Sequence, residues 1–144
     1  MDNRIEGKGR CLCGAVEIAA TTMNTQVGTC HCRMCRRWGG GPLMTVDCGT
    51  EVVFSGPQHI VRYDSSDWAQ RGFCSRCGSH LFYLLKDGGR YFVPVGLFDE
   101  EDRFQFTHQI FIDRKPAFYS FANVTDNMTE EEVFSHFAQK EGGS

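Results

Sequence analysis

The sequence lacks the features that mark membrane, secreted and nucleic-acid-binding proteins. It has no run of about eighteen apolar residues, so no transmembrane helix is predicted. Its first six residues form a mostly polar segment and provide no apolar core for a secretory signal. Acidic residues outnumber basic ones, 18 to 15, for a net charge of −3, whereas a nucleic-acid-binding surface is basic. We therefore expect a cytoplasmic protein that contacts neither membranes nor nucleic acid.

The sequence also lacks internal boundaries. No linker rich in proline, glycine or serine divides its 144 residues, and no internal repeat is evident. A chain of this length is the usual size of one domain and can bury a hydrophobic core. We therefore predict a single domain over residues 1–144.

Short runs of alternating apolar and polar residues dominate the chain, separated by glycine, aspartate and proline. Alternation with a period of two is typical of half-buried strands, and closely spaced turn signals are typical of all-β proteins. The predicted strands are residues 15–20, 43–46, 51–55, 60–63, 80–85, 90–95 and 103–112. The fold class that follows is mainly β.

One helix is predicted near the end of the chain, over residues 129–140. Thr129 and Glu132 stand at the two positions of a capping box, and Met128 and Val133 at those of a hydrophobic staple. We expect this helix to contribute packing and no chemistry. A second, short helical turn is expected after Cys35, before the three consecutive glycines at 39–41.

Cysteine is abundant, with eight residues. Without a secretory signal these thiols are not expected to form disulfides, so metal binding or catalysis is the default explanation. Seven of the eight fall into three clusters, and Cys48 stands alone. The clusters are Cys11 and Cys13; Cys30, Cys32 and Cys35; and Cys74 and Cys77.

The last cluster has the form of a zinc knuckle. Cys74 and Cys77 are followed by Gly78, and a tight turn of this kind points backbone N–H groups at the sulfurs. Structural zinc takes four ligands, so a second pair is needed. Counting assigns Cys11 and Cys13 as that pair.

The middle cluster then offers three thiolates, and three protein ligands with one open position are typical of catalytic zinc. The open position could take water or a substrate thiol. His31 could instead close the site, but neighbouring side chains of an extended segment point to opposite sides. Cys48 could also close it, although a lone cysteine is more often a small buried apolar residue. A redox pair or a metal-buffering cluster is a further alternative.

Three arginines flank the middle cluster: Arg33, Arg36 and Arg37. Their guanidinium groups could offset the charge of three thiolates, or bind the carboxylates of an anionic substrate in bidentate fashion. The alternative is a basic turn that is simply solvated.

Four segments together resemble the glutathione-dependent formaldehyde-activating enzyme family, which includes centromere protein V. The first two are Cys11-x-Cys13-Gly14 and Cys30-His31-Cys32-x-x-Cys35-Arg36-Arg37. The third is Phe73-Cys74-x-x-Cys77-Gly78-x-x-Leu81-Phe82, and the last is the late segment at 109–116. The resemblance runs from about residue 5 to about residue 120, followed by the predicted helix.

The resemblance implies a duplicated, zinc-bearing, tent-like β fold. It implies a structural zinc on the first and third clusters, and a second zinc on the middle cluster with the fourth position free for the sulfur of glutathione. It implies carbon–sulfur lyase chemistry, in which glutathione and formaldehyde join reversibly to form S-(hydroxymethyl)glutathione. The sequence departs from the family at Gln109, where many members carry histidine, and at Phe118, where many carry tryptophan.

Two other functions remain as alternatives. In one, both metals stabilise a small β scaffold that binds a partner without catalysis. In the other, the middle cluster acts as a redox or metal-buffering centre. Competition by glutathione for a small-molecule pocket separates the enzyme from both.

Overall fold

The computed structural model describes residues 3–142, and the side chains of residues 3–136. Contacts within the chain divide it into two compact units. One comprises the residues up to Val27 together with Met44–Gln105; the other comprises Gly28–Leu43 and the residues from Phe106 onwards. The prediction of a single domain over the whole chain stays a prediction.

Strands dominate the described part of the chain, as the alternation predicts. They are β1 (Arg4–Arg10), β2 (Glu17–Asn24), β3 (Gln26–Cys30), β4 (Leu43–Gly49), β5 (Val52–Ser55), β6 (Ile60–Asp64), β7 (Ala69–Cys74), β8 (His80–Leu85), β9 (Arg90–Pro94), β10 (Gln105–Ile110) and β11 (Asp126–Met128). The α-helices are α1 (Arg33–Gly39) and α2 (Glu130–Gly142). The predicted fold class, mainly β with a C-terminal helix, is confirmed.

The first unit contains two sets of antiparallel strands. β1, β2 and β5 form a three-stranded sheet, with β2 in the middle. The other set runs in the order β4-β9-β8-β7-β6, so each strand from β6 to β9 pairs with the next along the chain. This meander positions both cysteines of the third cluster: Cys74 ends β7, and Cys77 lies in the turn that leads to β8.

Aromatic packing fills the core of this unit. The ring of Phe82 is fully buried, and its centroid lies 5.3 Å from that of Phe54 and 5.2 Å from that of Tyr91. Gly72, on the neighbouring strand, lies directly beneath the Phe82 ring: a Cβ atom there would come within 2.3 Å of two ring carbons. Only glycine leaves room for this ring, since real Cβ atoms do not approach so closely.

The second unit carries the middle cysteine cluster between a strand and a helix. β10 lies between β3 and β11, and pairs in parallel with β11. α1 begins at Arg33 because the sulfur of Cys32 accepts a hydrogen bond from the backbone N–H of Cys35, and it ends at Gly40 in the left-handed conformation, φ 84°. The helical turn expected after Cys35 therefore starts two residues before it.

α2 begins where the capping box predicts. The Glu132 carboxylate accepts from the Thr129 N–H at 2.8 Å, and the Thr129 hydroxyl oxygen accepts from the Glu132 N–H at 3.2 Å. Val133 is buried and provides the packing expected of this helix. The backbone N–H of Glu130 donates to the Asp113 carboxylate at 2.9 Å, which fastens the start of α2 to the 3-10 turn Ile112–Arg114.

No helix in the described part of the chain has both the length and the apolar character that a membrane crossing requires.

Candidate metal centres and an adjoining cavity

Four cysteines of the first unit converge, as counting predicts. The sulfur atoms of Cys11, Cys13, Cys74 and Cys77 all lie within 4.8 Å of one another. The Sγ atoms of Cys11 and Cys13 are 3.7 Å apart, and those of Cys13 and Cys74 are 3.8 Å apart. A tetrahedral zinc site with Zn–S bonds of about 2.3 Å has sulfurs about 3.8 Å apart, whereas a disulfide brings two sulfurs to about 2.0 Å. The four residues therefore fit a zinc ion.

Backbone turns point N–H groups at these sulfurs. Gly78 adopts the left-handed conformation, φ 78°, and its N–H donates to the Cys74 carbonyl oxygen at 2.8 Å. This turn directs the Arg76 N–H at the Cys74 sulfur, 3.4 Å away. On the opposite side, the Val16 N–H donates to the Cys11 sulfur at 3.4 Å. Such donors stabilise the thiolate form that a metal ion requires.

Ser79 links the two halves of this four-cysteine cluster. Its hydroxyl oxygen accepts from the Leu12 N–H at 3.0 Å and lies 3.2 Å from the Cys77 sulfur. The hydroxyl proton is then free to be donated to that sulfur. This hydrogen bond is the first cause of a lowered pKa for the Cys77 thiol, to about 5. Cys77 is therefore ready to bind a cation as thiolate.

The middle cluster is assembled in the second unit. The sulfurs of Cys30, Cys32 and Cys35 lie within 4.8 Å of one another. Cys30 ends β3, Cys32 caps α1, and Cys35 lies in the first turn of α1. Within the described residues, no fourth histidine, cysteine, aspartate or glutamate ligand atom joins this group.

The close contact of the three sulfurs means that the thiols can ionise together only beside a cation. Contact with the Cys32 sulfur, and then with the Cys35 sulfur, raises the pKa of the Cys30 thiol above its ordinary value. Three thiolates so close together repel one another unless positive charge lies between them. A zinc ion supplies that charge, and thiolate is a ligand that zinc prefers. The donor set therefore fits zinc with one position left over.

His31 separates two of these cysteines but faces away from them, as expected for adjacent residues. Its Nε2 atom lies 2.7 Å from the Gln109 side-chain oxygen, and its Nδ1 atom lies 2.8 Å from the Tyr119 hydroxyl. Both ring nitrogens are thus engaged, and neither is available to a metal. Cys48, the other candidate for a fourth ligand, is fully buried in the first unit, as expected for a small apolar residue.

The hydrogen bonds around His31 have one consistent direction. The Gln109 amide nitrogen donates to the Thr125 hydroxyl at 2.9 Å, so the Gln109 oxygen faces His31 and accepts from Nε2–H. Nδ1 is then the acceptor for the Tyr119 hydroxyl proton. Burial lowers the pKa of His31, which agrees with a neutral ring.

The backbone of His31 is fixed as firmly as its ring. Its N–H donates to the Ile110 carbonyl oxygen at 3.2 Å, and its own carbonyl oxygen accepts from Arg36 Nε at 2.9 Å. The Lys115 ammonium donates to the carbonyl oxygens of Pro116 and Tyr119, and thereby shapes the loop that presents the Tyr119 hydroxyl. Two hydrogen bonds to its ring and two to its backbone therefore hold His31, the residue that joins Cys30 to Cys32.

A charged cavity of about 370 Å³ adjoins the middle cluster, within the range of small-molecule sites. Its lining residues are Cys32, Arg33, Arg36, Asp113, Arg114 and Glu130. All six belong to the second unit. Three guanidinium groups thus share the cavity with two carboxylates and one of the clustered thiols.

Two of the three arginines singled out in the sequence, Arg33 and Arg36, line this cavity. Arg37 is not among the described residues of its lining. Sequence reasoning missed Asp113, Arg114 and Glu130. Arg114 and Asp113 lie in the late segment that carries the family resemblance, which was a usable signal. Glu130 gave none, because an acidic residue in the first turn of a helix is explained by the helix dipole alone.

The fold and the two sulfur groups define a mainly β protein with two candidate metal–thiolate centres. Residues 6–114 match the family of the glutathione-dependent formaldehyde-activating enzyme, and the chain belongs to this family. The match covers all seven clustered cysteines and four of the five other residues that line the cavity, with Glu130 beyond it.

Two similar proteins support this assignment. An uncharacterized lyase of Schizosaccharomyces pombe is 36% identical over 129 residues, which are 89% of this chain and 94% of that protein. A crystal structure of a Rhodobacter sphaeroides protein superimposes with a TM-score of 0.57 at 25% identity, covering 69% of this chain and 96% of the other. The first similarity spans nearly the whole of both chains, and the second supports the fold.

Proposed function

We propose that this protein is a zinc-dependent carbon–sulfur lyase that forms and cleaves an adduct of glutathione, or another small thiol, with an aldehyde. The observation that carries the proposal is the three-cysteine cluster beside a cavity lined by arginines. Family membership supports glutathione and formaldehyde as the reactants, and similarity to a lyase supports the reaction class.

The reaction is an addition that balances without any redox partner. The sulfur of the thiol forms a bond to the carbonyl carbon, the carbonyl π bond breaks, and the thiol proton ends on the carbonyl oxygen. The product with formaldehyde is S-(hydroxymethyl)glutathione, and the reverse reaction releases both reactants. The step requires a thiolate at neutral pH, where a free thiol of ordinary pKa is mostly protonated.

In this proposal Cys30, Cys32 and Cys35 are metal ligands and not nucleophiles. When bound there, zinc supplies the positive charge that keeps a thiol deprotonated. The three cysteines would hold it with one position open, and His31, engaged at both ring nitrogens, would leave that position to the substrate. Arg33 and Arg36 attract an anionic thiol to the cavity.

The other four cysteines, Cys11, Cys13, Cys74 and Cys77, form a closed set in this proposal. Four thiolates complete the coordination of a zinc ion, so no position remains for substrate. Their role is to hold the turn after β1 against the turn between β7 and β8. The two metal sites therefore have different tasks, one structural and one catalytic.

The proposal is tested by the exchange rate between formaldehyde, glutathione and their adduct, measured by exchange NMR with zinc-loaded protein. We expect wild type to accelerate exchange above the uncatalysed rate, and Cys35→Ser to lose the acceleration. Cys48→Ala is the matched control, since Cys48 is buried and belongs to neither cluster. Equal acceleration by wild type and Cys35→Ser would overturn the proposal.

A further inference from the structure

An ion pair between Arg114 and Glu130 forms part of the wall of the cavity. Arg114 Nε donates to the Glu130 carboxylate at 2.7 Å, and both side chains remain substantially exposed. An exposed pair of this kind is weak, because each charge is also solvated by water. Its two members can therefore change partners at little cost in free energy.

The charges of the cavity match one end of glutathione. The γ-glutamyl end carries an ammonium and a carboxylate on the same carbon atom, so it presents two opposite charges side by side. Arg114 and Glu130 also present two opposite charges side by side. The positive charge of Arg114 can pair with the carboxylate of the ligand, and the negative charge of Glu130 with its ammonium. Apart from the Cys32 thiol, the lining holds three guanidinium groups and two carboxylates, so guanidinium groups remain for the second carboxylate of glutathione.

We propose that the Arg114–Glu130 pair recognises the γ-glutamyl zwitterion by exchange of partners, an inference that rests on the proposed function. The ligand's α-carboxylate takes the place of Glu130 on Arg114, and Glu130 turns to the ligand's ammonium. Arginine suits this role because its planar fork binds carboxylates in bidentate fashion. The second carboxylate of glutathione is left to Arg33 and Arg36.

The backbone beneath the pair is fixed, so the exchange needs only side-chain motion. Asp113 accepts from the Glu130 N–H at 2.9 Å, and the Thr129–Glu132 capping box holds the first turn of α2. Arg114 itself lies in the 3-10 turn that carries Asp113. The two recognising charges are thus placed by two short, hydrogen-bonded elements.

Two matched ligands separate the two charges. Glutaryl-cysteinylglycine is glutathione without the ammonium, and 4-aminobutyryl-cysteinylglycine is glutathione without the α-carboxylate. Calorimetric titration of zinc-loaded wild type should show each ligand binding about tenfold more weakly than glutathione, the effect of one charge-assisted hydrogen bond. Glu130→Gln should abolish the penalty for the missing ammonium, and Arg114→Gln the penalty for the missing carboxylate.

The controls are Glu131→Gln and Arg103→Gln, which change exposed residues outside the cavity and should keep both penalties. Penalties unchanged by Glu130→Gln and Arg114→Gln would overturn the exchange. Wild type that binds all three thiols equally would overturn it too, while leaving the proposed function standing. Wild type that binds none of them would overturn the exchange and also glutathione as the thiol of the proposed function.

Discussion

The Sγ atoms of Cys13 and Cys74 lie 3.8 Å apart, although 61 residues separate them along the chain. That distance is about the edge of a tetrahedron of sulfurs around zinc. Cys13 lies in the turn after β1 and Cys74 ends β7. A metal ion bound by the cluster would therefore link two segments that are distant in the sequence. The stability of the first unit should therefore depend on the metal.

Loss of one ligand of this cluster should destabilise the protein strongly. We expect Cys74→Ser to lose a zinc ion and to lower the free energy of unfolding by more than about 3 kcal/mol, since the binding energy of a structural zinc is folding energy. Thermal unfolding with and without a chelator measures this. Cys48→Ala is the control, and a Cys74→Ser protein that unfolds like wild type would contradict a structural metal.

Ser79 should tune the same site without providing a ligand. We expect Ser79→Ala to weaken zinc binding at the four-cysteine cluster about 10-fold, the lower range for a residue that supports a ligand. The reason is the loss of its hydrogen bond to Cys77 and of the acceptor for the Leu12 N–H.

Competition with a chelator of known affinity measures this effect. Ser75→Ala changes an exposed serine in the same turn and serves as the control. Identical affinities for the two variants would show that the Ser79 hydroxyl does not support the metal.

The hydrogen bonds of His31 should stabilise the middle cluster. Gln109→Leu leaves the buried His31 Nε2–H without its acceptor, which costs about 1–3 kcal/mol. We expect weaker metal binding by the three cysteines and little change at the four. Cobalt substitution measures both, because cobalt–thiolate absorption reports each site as it fills.

Gln109→Asn is the informative companion, since its shorter side chain keeps the amide but not the reach. Partial recovery of cobalt binding in Gln109→Asn would support positioning through the hydrogen bond. Unchanged binding by Gln109→Leu would contradict any role of this network in holding the cluster.

The Phe82 ring packs so closely on Gly72 that any larger side chain at this position should destabilise the protein. We expect Gly72→Ala to lower the free energy of unfolding by about 1–3 kcal/mol, because the added methyl group meets the ring and forces it to move. Denaturant unfolding measures this. Gly96→Ala is the control, since a Cβ at Gly96 meets no atom within 4 Å; equal stability of the two variants would contradict the packing argument.

The sequence predicted strands that apolar side chains mark, and missed strands whose buried positions carry no apolar side chain. Residues 80–85 were predicted to the residue, because apolar side chains mark β8. β1 was missed, because its buried positions are Gly7 and Gly9. A Cβ at Gly7 would lie 2.5 Å from the Met23 sulfur, so burial there depends on a neighbour that a pattern does not reveal.

The candidate site divides along the same line. Counting cysteines was enough to pair Cys11 and Cys13 with Cys74 and Cys77, because tetrahedral coordination limits the combinations. The cavity could not be counted in this way. Glu130 reaches it from α2, a helix expected only to pack, and Tyr119 reaches His31 across 88 residues. Contacts of this kind depend on tertiary structure and leave no local pattern.

The most direct test of the whole account is the zinc content per chain, by elemental analysis, in wild type and in Cys35→Ser. The account predicts two zinc ions in wild type and one in the variant, with glutathione binding lost and thermal stability nearly unchanged. A single zinc in both proteins, with no binding of glutathione to either, would contradict an open metal site at Cys30, Cys32 and Cys35.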